Sequence, residues 1–156
     1  MITDQEINKL LKVQKTIELR EYNKLYKFTR TKGQHKEQEV ALKGEDGNDF
    51  IIKTRLSKLN PLDFSAILGY ILPNKTTIFR LRRYNGKSHE HKNKLEKQKF
   101  YDFHIHTATE RYQALGYDEE GYAQATNGYS DLHSAIDMMI KECNIGIPSG
   151  AQTKLI

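Results

Sequence analysis

The stretch Thr76-Thr-Ile-Phe-Arg-Leu-Arg-Arg-Tyr84 decides the fold, because apolar and polar residues alternate along it. Successive side chains of a β-strand point to opposite faces of the sheet, so Phe79 and Leu81 are predicted to share a buried face. The other face would carry the polar residues of the strand, namely Arg80, Arg82 and Tyr84. This pattern predicts an antiparallel strand with one buried and one solvated face.

The same alternation occurs on both sides of this strand. It surrounds Tyr26 and Phe28, Val40 and Leu42, and Phe50 and Ile52, and it returns from Tyr101 to Ile105. The apolar run Phe64 to Leu72 is compatible with a buried strand or a short buried helix, and we favour the strand. The polar segment Lys87 to Gln98 is compatible with a loop or an exposed helix.

Helices are predicted at both ends of the chain. Thr3 and Glu6 form a capping box before a helix that runs to about Lys15, and an apolar stripe from about Ser130 predicts the C-terminal helix. A second capping box, Thr107 and Glu110, predicts a short helix that ends near Leu115. We therefore expect an α+β domain over residues 1–148 and a flexible tail over 149–156. Its mostly antiparallel sheet of five to six strands would be packed on one face by the terminal helices.

Length and composition exclude several classes of protein. No run among the 156 residues reaches the roughly 18 to 20 apolar residues of a membrane span. The acidic N-terminus does not resemble a secretory signal, which favours the cytoplasm, and the single Cys143 excludes an internal disulfide. We found no glycine-rich phosphate loop and no dinucleotide fingerprint, and we expect no cofactor.

Positive charge is concentrated in one part of the chain. The net charge is +5, and the segment from Arg80 to Lys99 is basic, whereas Tyr117 to Tyr129 holds only acids. If the strands share one sheet, its open face would collect cationic and imidazole side chains, namely Lys53, Arg55, Arg80, Arg82, His104 and His106. Such a face suits nucleic-acid phosphates, with Tyr84 and Tyr112 as candidate stacking rings. The alternative is an ordinary solvated face.

Two His-x-His pairs carry the most specific chemistry. His104 and His106 would point to the same side of a strand, whereas His89 and His91 fall in the polar connection. Asp102 could add a carboxylate, but the spacing matches no zinc signature, so we predict no metal ligand. A histidine-based metal site stays open as a hypothesis.

An anion pocket is the third hypothesis for this region. His106 precedes Thr107, the predicted helix N-cap, and amides at a helix start attract anions. Two imidazoles and an arginine suffice for phosphodiester cleavage without a metal, which makes His104, His106 and Arg83 the candidate catalytic residues. The predicted phosphate-binding residues are Arg80, Arg82, Lys87, His89, His91, Thr107, Thr109 and Arg111. The alternative is that these groups only cap a helix and satisfy local hydrogen bonds.

Two segments carry a resemblance to a known family. They are Phe79-Arg-Leu-Arg-Arg-Tyr-Asn-Gly-Lys-Ser-His-Glu-His and Phe103-His-Ile-His-Thr-Ala-Thr-Glu-Arg-Tyr-Gln. The chain resembles, over about Asp63 to Asn144, a family of small uncharacterised bacterial proteins. The resemblance implies no activity, because none is known for that family.

Three functions follow as hypotheses. The first is a nucleic-acid-associated protein that binds phosphates on the basic sheet face, with RNase-like cleavage as an extension. The second is a protein-interaction module, such as an inhibitor or antitoxin-like partner, without catalysis. The third is a histidine-based metal-binding protein. Sequence alone leaves open whether the protein is an enzyme and what its oligomeric state is.

Overall fold

The computed structural model of the protein describes residues 1–73 and 76–152, which form one mixed α and β domain. The helices of these residues are α1 (Asp4–Lys12), α2 (Leu19–Tyr22), α3 (Glu110–Ala114), α4 (Leu132–Glu142) and α5 (Ser149–Gln152). The long strands are β3 (His35–Gly44), β4 (Asp49–Ser57), β5 (Phe64–Ile71) and β6 (Ile78–Asn85). The short strands are β1 (Lys15–Thr16), β2 (Arg30–Lys32), β7 (His91–Lys92), β8 (Lys99–Phe100), β9 (His104–Thr107), β10 (Ala123–Ala125) and β11 (Ile145–Gly146).

Nine of the strands form one sheet, in the order β10, β9, β6, β5, β4, β3, β1 and β11, with β2 also paired to β3. All pairings in this sheet are antiparallel except that of β1 with β11. Strands β7 and β8 form a separate hairpin. The prediction of five to six strands was too low, because the short edge strands exist only through their long-range partners.

The hydrophobic core lies between this sheet and helices α1 and α4. Helix α1 contributes Ile7, Leu10 and Leu11, and Thr3 caps it by accepting a hydrogen bond from the amide of Glu6 at 3.1 Å, as its capping box predicted. Helix α4 contacts β5 and β6, and α1 contacts β6. Cys143, just after α4, is fully buried in this core.

A β-bulge in strand β6 changes which residues reach the open face. Arg80 pairs with Gly69 and Arg82 with the preceding Leu68, so Leu81 has no partner in β5. The extra residue reverses the alternation after Leu81. The prediction that Arg80, Arg82 and Tyr84 share the open face was therefore wrong: Tyr84 is fully buried in the core, and Arg82 approaches Glu142 of α4 at 3.8 Å.

Two other local predictions were wrong, and one open alternative was decided. Tyr26 and Phe28 precede the first hairpin strand, which is the exposed β2. The segment 87–98 is a loop, one of its two predicted alternatives, apart from the two-residue strand β7. The cap of α3 is Thr109, because Thr107 still belongs to β9 and the amide of Ala108 donates to Leu81.

At the C-terminus, residues 149–152 of the predicted tail form α5, which contacts α2, and the remaining four lie outside the described residues. No helix in the described part of the chain is long and apolar enough to cross a membrane.

Candidate metal centre

Three histidines from two separate segments converge at one end of the open sheet face. They are His91 of β7 and His104 and His106 of β9, and one ring nitrogen of each lies within 4.8 Å of the others. The ring of His91 stacks on that of His104 at 5.1 Å between centroids and meets that of His106 edge-on at 4.8 Å. His104 is fully buried, and His106 is 8% exposed.

The sheet register places His104 and His106 on the open face. His106 lies opposite Arg83 and His104 opposite Asn85, so both imidazoles continue the rows of side chains that cross β6. The hydroxyl of Tyr129 donates to the carbonyls of Asn85 and His104 at 2.7 and 2.9 Å, which ties the ends of the two strands together. The chain between these strands folds back as the β7 and β8 hairpin, and this brings His91 onto the pair.

One nitrogen of each imidazole faces an oxygen acceptor. His104 Nδ1 is 2.8 Å from the carbonyl oxygen of Asp102, and His106 Nδ1 is 2.7 Å from that of Glu120. His91 Nε2 is 2.8 Å from Oδ1 of Asn93. Since these oxygens only accept hydrogen bonds, the facing nitrogens carry the protons, and the lone pairs are on His91 Nδ1, His104 Nε2 and His106 Nε2.

The orientation of the Asn93 amide is fixed by the backbone of β10. Its Nδ2 donates to the carbonyl of Ala123 and its Oδ1 accepts from the amide of the same residue, both at 2.8 Å. Asn93 is fully buried, and it joins the hairpin to the edge of the main sheet. The oxygen that faces His91 is therefore assigned by two backbone contacts.

Burial keeps both strand histidines neutral. Together with smaller contributions from the neighbouring imidazoles and the Arg83 guanidinium, it lowers the pKa of His104 to about 4 and that of His106 to about 3. At neutral pH both rings can therefore offer a lone pair without first losing a proton.

The side-chain oxygen of Asn85 has no hydrogen-bond partner in the described structure, although Asn85 is only 8% exposed and its amide nitrogen lies 3.4 Å from His104 Nε2.

A cleft of about 220 Å³ opens beside His91 and His106. Arg83, Lys92 and Lys94 line it, together with the acids Asp118 and Glu120. The Glu120 carboxylate is 4% exposed and lies 2.9 Å from Arg83 and 3.1 Å from Arg80. Burial raises the pKa of this carboxyl even though both guanidinium groups oppose the shift. The cleft thus combines cations, a buried carboxylate and two imidazoles.

The remaining predicted site residues are distributed around this cleft. Arg80 is on the open face but pairs with Glu119 and Glu120. His89 is exposed, with its ring centroid 5.9 Å from that of His104, and it does not belong to the three-histidine cluster. Lys87 lies at the start of the connection to the hairpin and does not line the cleft.

The predicted anion pocket at the start of α3 was wrong in its position. The amide of Thr107 donates to Tyr122 and that of Thr109 to Glu119, so both amides are already engaged. Arg111 pairs with Glu96 at 2.6 Å. Two further assignments also fail, because Tyr112 is fully buried and cannot stack on a base, and Asp102 contributes its carbonyl and not its carboxylate.

Two residues of the site were missed in the sequence. Asn93 follows His91 at strand spacing, and this His-x-Asn pattern was the available signal. Glu120 belongs to the acidic segment after Tyr117, and nothing in the sequence placed that segment beside the basic strand.

Comparison with known proteins gives a family but no activity. No curated protein and no solved structure matches the chain. A family model matches residues 2–145, which extends beyond both segments that carried the resemblance. The chain therefore belongs to a family of unknown function, DUF6978.

Proposed function

We propose that the protein is a metalloprotein in which His91, His104 and His106 hold one divalent transition-metal ion. The observations that support this are the convergence of one ring nitrogen of each histidine to within 4.8 Å of the others and the presence of an oxygen acceptor opposite one nitrogen of each ring. Metal-binding histidines almost always donate their second ring nitrogen to a carbonyl, carboxylate or water, which fixes the ring and its tautomer. Here protein oxygens satisfy all three rings.

The geometry needs only a small contraction to bind an ion. Nitrogens on one tetrahedral zinc ion lie roughly 3.3 Å apart, given bonds of about 2.0 to 2.1 Å. The three nitrogens now lie within 4.8 Å of one another, so they would have to approach by up to about 1.5 Å to share one ion.

The ligand set indicates the class of metal. Three neutral imidazoles suit zinc, copper, nickel or iron, whereas calcium and magnesium prefer oxygen ligands. Three protein ligands leave one tetrahedral position for water or substrate, as in catalytic zinc sites. Because His91 and His106 line the cleft, that position would face it, and the ion would act there as a Lewis acid for hydrolysis.

The test is metal binding by the purified protein, measured by elemental analysis and by titration of the metal-free protein with Co²⁺, followed by its visible absorption. We expect one ion per chain, with affinity reduced at least a hundredfold in H91Q, H104Q and H106Q. The matched control is H133Q, because His133 is an exposed histidine on α4. Binding that is absent, or that survives in all three cluster variants, would contradict the proposal.

Two of the hypotheses from the sequence stay as alternatives with their own outcomes. Phosphodiester cleavage without a metal would leave activity intact after chelation. A protein-interaction module would bind neither metal nor nucleic acid and would form a stoichiometric complex with one protein. The convergence of the histidines favours the metal centre over both, because neither alternative needs three imidazoles gathered at one point.

A further inference from the structure

We infer that the open sheet face beside the histidines binds a single-stranded nucleic acid and carries one of its phosphodiester groups to them. The inference rests on the proposed metal centre for the cleavage step but not for binding. It starts from Arg83, whose side chain is common to three neighbouring clefts. These clefts adjoin one another at Arg83, and we call the three together the groove.

The groove runs from the histidines toward the opposite edge of the sheet. Register places His106, Arg83, Ile67 and Lys53 in one row across β9, β6, β5 and β4. Three strand spacings separate the ends of this row, a distance of about 14 Å. A phosphate at the histidines and others near Lys53 would therefore belong to one extended chain.

Cations line the whole length of this groove. Lys92 and Lys94 lie at the histidine end, and Lys32, Lys53 and Arg55 lie at the far end. Neither Lys92 nor Lys94 makes a salt bridge in the described structure, although Lys94 lies 5.1 Å from the centre of the Tyr117 ring. Four acids also line the groove, and they are outnumbered by the cations. These acids are Glu37, Glu39, Asp118 and Glu120.

The shape favours a single strand over a duplex. The histidine end is a cleft between the hairpin and the segment around Asp118, and its wall includes the 39% exposed ring of Tyr117. Exposed rings beside basic grooves bind unpaired bases by stacking, whereas a duplex keeps its bases stacked on one another. The clefts at Lys53 and Arg55 then accept the neighbouring backbone.

The reaction that fits this arrangement is hydrolysis of a phosphodiester. The oxygen of one water forms a bond to phosphorus, the bond between phosphorus and one ester oxygen breaks, and that oxygen leaves with a proton from the water. Arg83 is placed to stabilise negative charge on the phosphoryl oxygens, since it reaches the cleft beside His106.

Binding is tested by fluorescence anisotropy with labelled single-stranded RNA and DNA of the same sequence, and with the corresponding duplexes. The double variants K92A/K94A and K53A/R55A change opposite ends of the groove. The matched control is K9A/K12A, which removes two exposed lysines from α1. Each groove variant should weaken binding at least tenfold and reduce the slope of log K against log salt by roughly 1.4.

The inference is overturned if neither single strand binds, if duplexes bind as tightly, or if the control weakens binding as much as the groove variants. Cleavage is then measured with Zn²⁺, Mn²⁺ and Co²⁺. The variant H106Q should lose the cleavage, and cleavage by H106Q equal to that of the wild type would refute the role of the histidines. Co²⁺ titration needs no nucleic acid, so the absence of nucleic-acid binding would not contradict the proposed metal centre. If no metal binds, binding of nucleic acid to the groove can still be measured.

Discussion

At the scale of single residues, Asn93 determines whether His91 can serve as a ligand. Its amide pairs with both the N–H and the C=O of Ala123, so it substitutes for a strand at the edge of β10. The same oxygen that accepts from Ala123 also accepts from His91. One buried side chain therefore sets the position of the hairpin and the tautomer of a metal ligand.

Replacing Asn93 with alanine should weaken metal binding by about 10- to 100-fold, the usual effect of removing a partner behind a ligand. It should also lower the free energy of unfolding by about 1–3 kcal/mol, because the amide and carbonyl of Ala123 lose their partners. Co²⁺ titration and urea unfolding measure the two effects. N93D is the informative comparison, because it keeps the acceptor for His91 and should retain most of the affinity. Equal loss of affinity in both variants would contradict the role of Oδ1.

The bulge in β6 places two neighbouring arginines on opposite faces of the sheet. Arg83 lines the groove, whereas Arg82 lies on the helix side near Glu142. We expect R83A to weaken binding of single-stranded RNA at least fivefold. R82A should leave that binding within twofold and lower the free energy of unfolding by about 1–2 kcal/mol. Anisotropy and urea unfolding of the two variants test this, and a reversed pattern would show that the bulge does not set the faces.

At the scale of secondary-structure elements, Lys15 joins the C-terminal ends of α1 and α4. Its ammonium group donates to the carbonyls of Leu11 and Val13 at 3.0 Å and of Cys143 at 2.9 Å, and it is fully buried. The negative ends of two helix dipoles therefore meet on one cation. Its position 4.9 Å from the centre of the Phe50 ring places this contact inside the core.

Lys15 should make stability depend on pH in the alkaline range. Burial lowers its pKa from 10.5 to about 8, so between these values the unfolded chain keeps a proton that the folded protein has lost. The contribution of Lys15 to the free energy of unfolding should therefore rise with pH from about 8 to 10.5, by up to about 3 kcal/mol. Urea unfolding of the wild type and K15M across this range measures it. K15M lacks the titrating group but retains the tyrosines, so the difference between the two proteins isolates Lys15. A difference that stays constant with pH would contradict the lowered pKa.

At the scale of the whole molecule, the proposed metal site spans two sheets. His91 belongs to the small hairpin and His104 and His106 to the main sheet, which the Asn93 amide also links. An ion held by all three residues would bind only the folded arrangement. Binding would therefore stabilise the entire domain and would restrain the hairpin most.

We expect a divalent ion at a free concentration 100 times its dissociation constant to raise the free energy of unfolding by about 2.7 kcal/mol. For a domain of this size that corresponds to roughly 5–10 °C in Tm. Calorimetry measures the shift, and hydrogen exchange should show the largest slowing in residues 89–100. H106Q should show neither effect, whereas H133Q should behave as the wild type. A shift of equal size in H106Q would assign the stabilisation to nonspecific binding.

The features that could be predicted from the sequence are those that depend on residues close together in the chain. The capping box at Thr3, the apolar stripe of α4 and the alternation in β3, β4 and β6 are local, and they predicted the α and β content and most of the central strands. The placement of His104 and His106 on one strand face was local too. In contrast, the cap of α3 moved from Thr107 to Thr109 because pairing of Ala108 with Leu81 extended the strand.

The sequence by itself determined that one face of the central strands is apolar and that the two His-x-His pairs lie between Phe79 and Tyr112, since strand periodicity and residue type decide both. Only the tertiary structure decided that Arg83 and not Arg82 faces the groove, because a bulge needs a partner strand to define it. Tertiary structure likewise brought His91 to His104 and His106 and the acids near Glu120 to Arg80 and Arg83. These contacts join segments that are distant in the chain, and their energy comes from packing and hydrogen bonds that no local pattern encodes.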